Sequence, residues 1–183
     1  MIGRPLRRAV TAGIRGVCDA GVVKFGFEQR WTADPADVLE VYLDAGFWSG
    51  LDHLSATSAP EVLEVSRTAD RATVRLRYIL SVALPSEAAR FIDPDDVTWV
   101  EETTWDLGTR NARVRFLPDQ AASLLRASAE AALLARDDET LRQVRGELRV
   151  RIPLLGGRVE KVVVEGIGDH LEEEADAVAA ALA

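Results

Sequence analysis

Residues 146–183 read GELRVRIPLLGGRVEKVVVEGIGDHLEEEADAVAAALA and join an alternating segment to a long helical one. Up to residue 152 apolar residues recur at every second position, which indicates a half-buried strand. After residue 157 no proline interrupts the chain, and about 25 helical residues would span about 37 Å. We therefore predict a strand over residues 140–152, a turn over 153–157 and a helix over roughly 158–182.

The predicted C-terminal helix has one apolar side. This side consists of Val159, Val163, Ile167, Leu171, Val178 and Leu182. Gly166 and Gly168 lie at mid-helix, where each glycine costs about 1 kcal/mol relative to alanine. Two explanations are open. The glycines either allow the helix to pack closely on a bent strand, or leave room for a bound molecule.

Upstream, alternation of apolar and polar residues predicts further strands. We expect them over residues 23–31, 61–66, 71–84, 97–107 and 112–117. Short turns between successive strands indicate an antiparallel meander. After the first strand, Asp34 as N-cap and Pro35 at the first helical position predict a helix over 35–43. A second short element over 47–51 carries Trp48, and a helical turn is expected near 87–91.

The segment 121–135 is ambiguous. Its sequence, AASLLRASAEAALLA, has the composition of a helix. It also alternates as a strand would, with Leu125, Ala127, Ala129, Ala131 and Leu133 on one face. We predict a strand, because the long strand that follows needs a partner of matching length.

The composition bounds the possible functions. The chain has 183 residues, enough for one domain, and 48% of them are hydrophobic, enough for a core. A net charge of −8 argues against broad nucleic-acid binding, which needs a basic surface. No apolar run is long enough to form a membrane span.

Few residues are available for metal or cofactor chemistry. Cys18 is the single cysteine, so an internal disulfide and a cysteine-based zinc site are excluded, and a cytoplasmic setting is the simplest interpretation. His53 and His170 are the only histidines, which excludes a histidine-rich metal cluster. No glycine-rich nucleotide-binding motif is present. We predict neither a metal nor a cofactor.

Residues 1–21 need separate treatment. Their arginines are followed by no apolar run of the length that a secretory signal requires. A short amphipathic surface helix and a start codon assigned too far upstream are both possible. We expect a poorly ordered tail over 1–21 and a folded domain over 22–183.

The order of these elements resembles the START-like (SRPBCC) superfamily of helix-grip proteins, which includes lipid-transfer domains, polyketide cyclases and aromatases. Residues 27–48, FEQRWTADPADVLEVYLDAGFW, are similar to its usual opening strand and helix entry. Residues 146–175 resemble the final strand, Pro-Leu-x-Gly-Gly loop and helix of a bacterial branch of the superfamily with no assigned function. The resemblance implies an α+β fold in which a curved antiparallel sheet of about seven strands wraps around the long C-terminal helix, with two short helices after the first strand.

The resemblance also implies a deep, mostly apolar cavity between sheet and helix that binds lipids, sterols or polyketide-like molecules. By alternation, its walls would consist of Tyr78, Leu80, Trp99, Trp105, Phe116, Leu148, Val163 and Ile167, with Trp48 near the mouth. The alternative for each of these residues is that it fills an ordinary core.

Candidates for chemistry are few. His170 and Glu174 are one helical turn apart, and in a cavity their pairing could orient the imidazole as a general base, with Tyr78 nearby, or let His170 bind the polar end of a ligand. A solvated helix pair is the favoured interpretation of these two. Glu101 and Thr103 share a strand face with two tryptophans, and we expect Glu101 to reach a sheet edge or an arginine, because a buried unpaired carboxylate is costly. His53 is expected on a surface loop.

Three functions therefore remain open. The first is a non-catalytic carrier or sensor of a hydrophobic small molecule, which the shortage of inward polar residues favours. The second is a cyclase or aromatase type of enzyme that uses polar cavity residues. The third is a structural or interaction domain whose interior is filled by its own side chains.

Overall fold

The computed structural model describes residues 11–12, 22–52, 54–81, 97–119 and 123–183. The strands are β1 (Thr11–Ala12), β2 (Val23–Trp31), β3 (Glu61–Arg67), β4 (Arg71–Ile79), β5 (Thr98–Asp106), β6 (Asn111–Pro118), β7 (Leu125–Arg136) and β8 (Glu139–Val150). The helices are α1 (Pro35–Tyr42), α2 (Ala45–Ser49) and α3 (Gly156–Ala181). None of these helices has both the length and the apolar character needed to cross a membrane.

All the described strands form one antiparallel sheet in the order β1-β2-β8-β7-β6-β5-β4-β3. Strands β3 to β8 follow one another as a meander, and β2 then pairs with β8 along its whole length, from Val23 opposite Leu148 to Trp31 opposite Thr140. This pairing puts the first long strand beside the last one, next to α3. The predicted helix-grip architecture is confirmed, with seven long strands and the two-residue β1.

One face of the sheet, called the inner face below, packs against α3. On β2 the buried side chains are those of Phe25, Phe27, Gln29 and Trp31, at every second position. Long alternating segments of this kind bury one face and leave the other to solvent. The core therefore lies between the inner face, α1 and α3.

Buried hydrogen bonds fasten both halves of α3 to the sheet. Near the start of the helix, Glu160 Oε1 accepts from the backbone N–H of Val150 at 2.8 Å. In the second half, Trp31 Nε1 donates to the carbonyl oxygen of Ala175 at 3.0 Å. Both bonds satisfy groups that would otherwise be buried without a partner.

Most sequence predictions of elements are confirmed. The ambiguous segment is strand β7, and residues 120–122 before it lie outside the described residues. The long helix extends from Gly156 to Ala181. Asp34 stands at the N-cap of α1, although its side chain makes no capping hydrogen bond.

Several boundaries differ, among them the start of α3 at Gly156 instead of residue 158 and the end of β8 at Val150 instead of residue 152. Helix α2 begins at Ala45 instead of residue 47, because Asp44 Oδ1 accepts from the backbone N–H of Gly46 at 2.8 Å and caps the helix there. Strand β4 was predicted to continue to residue 84 but ends at Ile79, after which Leu80 forms an isolated bridge with Thr57. Residues 82–96, with the helical turn predicted near 87–91, lie outside the described residues.

Of the predicted N-terminal tail, the structure describes only β1. Thr11 and Ala12 pair with Glu28 and Phe27 at the outer edge of β2. For the rest of residues 1–21 a tail stays a prediction.

Two glycines decide how tightly the interior packs near β2. A Cβ atom on Gly146 would lie 2.3 Å from Phe25 Cζ and 2.7 Å from the carbonyl oxygen of Ser128. A Cβ atom on Gly168 would lie 3.1 Å from Phe27 Cε1. At Gly168, close packing on the strand is therefore the right explanation for the glycine.

We expect Gly146→Ala to lower the free energy of unfolding by about 1–3 kcal/mol, because the clash involves backbone as well as a ring and cannot be relieved by one rotamer change. Gly157→Ala is the matched control. Nothing lies within 4 Å of a Cβ atom at Gly157, and in a helix the change is neutral or favourable by up to about 1 kcal/mol. Urea unfolding followed by tryptophan fluorescence measures both. Equal stabilities of the two variants would contradict this account of the packing.

Candidate functional site

A buried ion pair joins the inner face to α3. Arg142 projects from β8 and Glu174 from α3, and Arg142 Nη1 is paired with Glu174 Oε1. Their side chains are only 8% and 5% exposed. A charge that is removed from water is tolerated only when partners compensate it.

Tyr42 and Gln29 provide that compensation. Arg142, Glu174, Tyr42 and Gln29 are together called the Arg142 cluster. Tyr42 Oη donates to Glu174 Oε1 at 2.9 Å, and the Arg142 guanidinium lies 4.4 Å from the centre of the Tyr42 ring. Arg142 Nη1 donates to Gln29 Oε1 at 2.8 Å, and Gln29 Nε2 donates to the carbonyl oxygen of Leu171 at 2.5 Å. The Arg142 cluster thus ties α1, β2, β8 and α3 together.

A second set of polar residues, called the Tyr78 group, consists of Tyr78, Trp99, Glu101 and His170. The register of β4 and β5 sets Tyr78 opposite Trp99, and the two rings stack with centroids 5.6 Å apart. Tyr78 is only 1% exposed. Within the part of the chain that the structure describes, neither Tyr78 Oη nor Trp99 Nε1 has a hydrogen-bond partner, although both atoms are buried. Leaving a buried donor unsatisfied costs about 1–3 kcal/mol.

Glu101 lies on the inner face of β5, between Leu76 of β4 and Phe116 of β6. Thr103 Oγ1 donates to Glu101 Oε1 at 3.3 Å. Burial, and then the negative charge of Glu174, raise the pKa of Glu101 to about 7, against the opposing effects of Arg142 and Thr103. The carboxyl group therefore changes its protonation state close to neutral pH.

The expectation that Glu101 reaches an edge or an arginine needs correction. Strand β5 is an interior strand of the sheet. Among the described residues Glu101 forms no ion pair, and Arg142, whose charge acts on it, is paired with Glu174 instead.

His170 connects the Tyr78 group to α3. Its ring meets Tyr78 edge to face at 5.4 Å, and its Nδ1 lies 3.4 Å from Thr57 Oγ1. His170 Nε2 is 3.9 Å from Glu174 Oε2, and the imidazole is 14% exposed. Burial lowers the pKa of His170, although the nearby Glu174 and Glu173 oppose this effect, so the ring is neutral at pH 7.

The expectation that His170 and Glu174 form a solvated pair is therefore wrong. The apolar side that the sequence predicts for this helix includes neither of the two residues. In the structure Glu174 is buried together with Leu171 and Ala175, because Arg142 and Tyr42 hold its carboxylate against the sheet.

Apolar residues that are only half-buried lie at one end of the inner face, called the open end below. They are Phe116, Leu125, Ala127, Val163 and Ile167. The register of β6 and β7 brings the first three together, since Arg115 lies opposite Ser128 and Phe116 and Ala127 are the next residues of the two strands, with Leu125 two positions further along β7. The first half of α3 is held over the same end by the bond from Val150 to Glu160.

The other predicted wall residues are more enclosed. Leu148 and Trp105 are fully buried, and the Trp105 ring lies 6.0 Å from that of Tyr42. Trp48, expected near a mouth, is buried, and its Nε1 donates to the carbonyl oxygen of Tyr42 at 2.9 Å. Leu80 is half-buried at its bridge with Thr57. His53 lies outside the described residues.

Sequence reasoning missed Gln29, Tyr42 and Arg142 as members of an inner polar cluster. For two of them, the alternation along the strand indicates an inward-facing side chain. Gln29 stands between Phe27 and Trp31 in the inward register of β2, and Arg142 has the same parity as Val144 in β8. Among the described residues, no three potential ligands group in a way that could hold a metal ion.

We expect Arg142→Met to lower the free energy of unfolding at pH 8 by about 3–5 kcal/mol, because it leaves the carboxylate of Glu174 buried without its partner. The double variant Arg142→Met/Glu174→Gln should lose less unfolding free energy than the single variant, because it leaves no buried charge in the Arg142 cluster. Urea unfolding at pH 8 measures both, and circular dichroism checks that each variant folds. A double variant less stable than the single would contradict this interpretation.

Glu101→Gln should stabilise the protein in a pH-dependent way. The folded state raises the pKa of Glu101, so its contribution to stability is complete below the unfolded value of about 4.3 and is lost as the pH rises through about 7. The groups that act on Glu101 are Glu174 of α3, Arg142 of β8 and Thr103 of β5. We therefore expect the variant to gain about 1–3 kcal/mol over the wild type at pH 8 and about a third of this at pH 5.

The control for this experiment is Glu130→Gln, which removes a carboxylate from the exposed side of β7. Unfolding free energies of the three proteins are compared between pH 5 and pH 8. If the difference in unfolding free energy between Glu101→Gln and the wild type stays constant over this range, the fold does not raise the pKa of Glu101.

Comparison with solved structures shows the same fold in several proteins. The protein TTHA0849 from Thermus thermophilus superposes with a TM-score of 0.63 at 22% identity, over 87% of this chain and 99% of that one. The ZhuI aromatase/cyclase from Streptomyces sp. R1128 gives 0.53 at 19% identity, over 87% and 90%. Norcoclaurine synthase from Thalictrum flavum gives 0.57 at 16% identity, over 88% and 86%.

No protein of curated function matches the sequence significantly. The profile of a family described as proteins of unknown function, DUF2505, matches residues 27–182. This match covers nearly all of the long strands and α3. The chain therefore belongs to the DUF2505 family, and it shares its fold with these solved structures.

Proposed function

We propose that the protein binds a hydrophobic small molecule, such as a lipid, sterol or polyketide-like compound, between the open end of the inner face and the first half of α3. The observation that carries the proposal is the exposure of apolar side chains on a face that is otherwise buried. Phe116, Ala127 and Ile167 point into the interior but remain only half-buried. Covering such surface is worth about 25 cal/mol per Å².

The composition of this region supports the proposal. Small-molecule sites are concave and mostly apolar, with a few polar groups that orient the ligand. The open end combines apolar walls with the Tyr78 group, and Glu101 lies directly opposite Phe116. At the Arg142 cluster, by contrast, the polar side chains bond to one another and hold the fold.

The comparisons support the same proposal at the level of the fold. One structural neighbour is an aromatase/cyclase, and norcoclaurine synthase is known in complex with dopamine and hydroxybenzaldehyde. The fold thus accommodates organic small molecules in other proteins. For this chain we propose the non-catalytic role first, in a cytoplasmic setting in keeping with its single cysteine.

A second candidate is an enzyme of the cyclase or aromatase type. Glu101 favours it, because a carboxyl group whose pKa is about 7 can accept and return a proton near neutral pH. The neutral imidazole of His170, in contact with the Tyr78 ring, adds a second group able to move a proton. The distance of 3.9 Å between His170 Nε2 and Glu174 Oε2 is too long for the hydrogen bond that would orient a general base.

We expect the protein purified from its own host to carry a hydrophobic molecule, detectable by native mass spectrometry and by extraction into organic solvent. Ala127→Leu should reduce the amount bound, because it fills the open end. Ala132→Leu is the matched control, the same change on the opposite face of the same strand. Circular dichroism verifies that both variants fold.

The outcomes separate the three functions. A ligand lost in Ala127→Leu but kept in Ala132→Leu supports binding at the open end. Incorporation of deuterium from D₂O into that ligand by the wild type, and not by Glu101→Gln, would support the enzyme. If the wild type binds neither a host molecule nor added hydrophobic compounds, the interior is filled by side chains and the binding proposal is wrong.

A further inference from the structure

We infer that the ligand of the open end carries a neutral hydrogen-bond-accepting oxygen, of the carbonyl class, which lies between Tyr78 Oη and Trp99 Nε1. This inference rests on the proposed binding function and specifies the polar part of the ligand. It follows from which buried donors lack partners and from the charge of the groups around them.

Tyr78 and Trp99 differ from the other buried polar atoms that lack a partner. Among the described residues, the remaining such atoms are the Nε atoms of Arg75, Arg77 and Arg142. Each of these belongs to a guanidinium that forms an ion pair. The hydroxyl of Tyr78 and the indole N–H of Trp99 are the whole polar capacity of their side chains, so nothing else compensates their burial.

Both atoms are available as donors. An indole N–H can only donate. Burial raises the pKa of Tyr78 well above its ordinary value, so its hydroxyl keeps its proton at neutral pH. Two cross-strand neighbours in stacked contact, 5.6 Å between ring centres, thus offer two donors, and neither donor atom has a hydrogen-bond partner among the described residues. A single oxygen atom of the ligand has two lone pairs and can accept one hydrogen bond from each donor.

The surrounding charges disfavour an anionic ligand. In the described interior, Arg142 and Glu174 neutralise each other, and His170 is neutral at pH 7. Glu101 adds either no charge or one negative charge, depending on its protonation. A carboxylate placed beside Tyr78 would therefore meet a neutral or negative environment inside the protein, which disfavours it. A neutral carbonyl oxygen meets the donors without this cost.

Three probes of one shape test this inference. They are 2-acetylnaphthalene, its isostere 2-isopropenylnaphthalene, in which a methylene group replaces the oxygen, and 2-naphthoic acid, which is an anion at pH 7.5. Isothermal titration calorimetry measures their affinities for the wild type, Tyr78→Phe and Trp99→Phe. Infrared spectroscopy of the ketone labelled with ¹³C at its carbonyl reports hydrogen bonding to the oxygen directly.

We expect the ketone to bind the wild type about 10–100-fold more tightly than the isopropenyl compound, because only the ketone pairs with the two buried donors. Naphthoic acid should bind less tightly than the ketone. Tyr78→Phe should remove most of the preference for the ketone without weakening the isopropenyl compound. The bound carbonyl stretch should lie at lower frequency in the wild type than in Tyr78→Phe.

Each contrary outcome has a separate meaning. Equal binding of the ketone and the isopropenyl compound would overturn the inference while leaving hydrophobic binding intact. Tighter binding of naphthoic acid than of the ketone would overturn the neutral-acceptor assignment in favour of an acid ligand. A ketone preference or carbonyl frequency that is unchanged in both Tyr78→Phe and Trp99→Phe would place the oxygen elsewhere. Binding of no probe would contradict the binding function and the inference with it.

Discussion

The contact between Arg142 and Glu174 is the interaction on which the arrangement of the interior depends. It joins the last strand to the long helix, and Tyr42 and Gln29 extend it to the first helix and the first long strand. Because an uncompensated charge in the interior is far more costly than a misplaced apolar group, the pair determines how α3 is rotated about its axis. That rotation in turn brings His170 against Tyr78 and turns Val163 and Ile167 toward the open end.

The interior has two parts that differ in how tightly their side chains pack. Near β2 and β8 the packing is tight: a methyl group on Gly146 would clash with Phe25, and one on Gly168 would lie closely against Phe27. Toward the open end, inward side chains such as Phe116, Leu125 and Ala127 are only half-buried. Tight packing in one part makes the sheet rigid. Hydrogen-bond donors on a rigid sheet lose little conformational entropy when a ligand binds.

The fold could be predicted from the sequence to a large extent, and the site only in part. Period-two alternation predicted β7 correctly although its alanines favour a helix, because pairing with β8 outweighs intrinsic propensity. Tyr78 and Trp99 were identified as inward-facing by the same alternation. Gln29 and Arg142 stand in the inward register of their strands, but they are polar, and alternation identifies an inward face by its apolar residues. The orientation of Glu174 depends on a partner 32 residues away, which local periodicity does not reveal.

The pairing of the first long strand with the last one has a consequence for how the chain folds. The bonds from Gln29 to Leu171 and from Trp31 to Ala175 join residues 142 and 144 positions apart. During synthesis from the N-terminus, β2 has neither its strand partner β8 nor its helical cover until β8 and α3 have been made. Phe25, Phe27 and Trp31 are then apolar surface without a partner. Such long-range pairings fold slowly and leave nascent chains prone to aggregation. We therefore expect the growing chain to depend on chaperones until the ribosome has released α3.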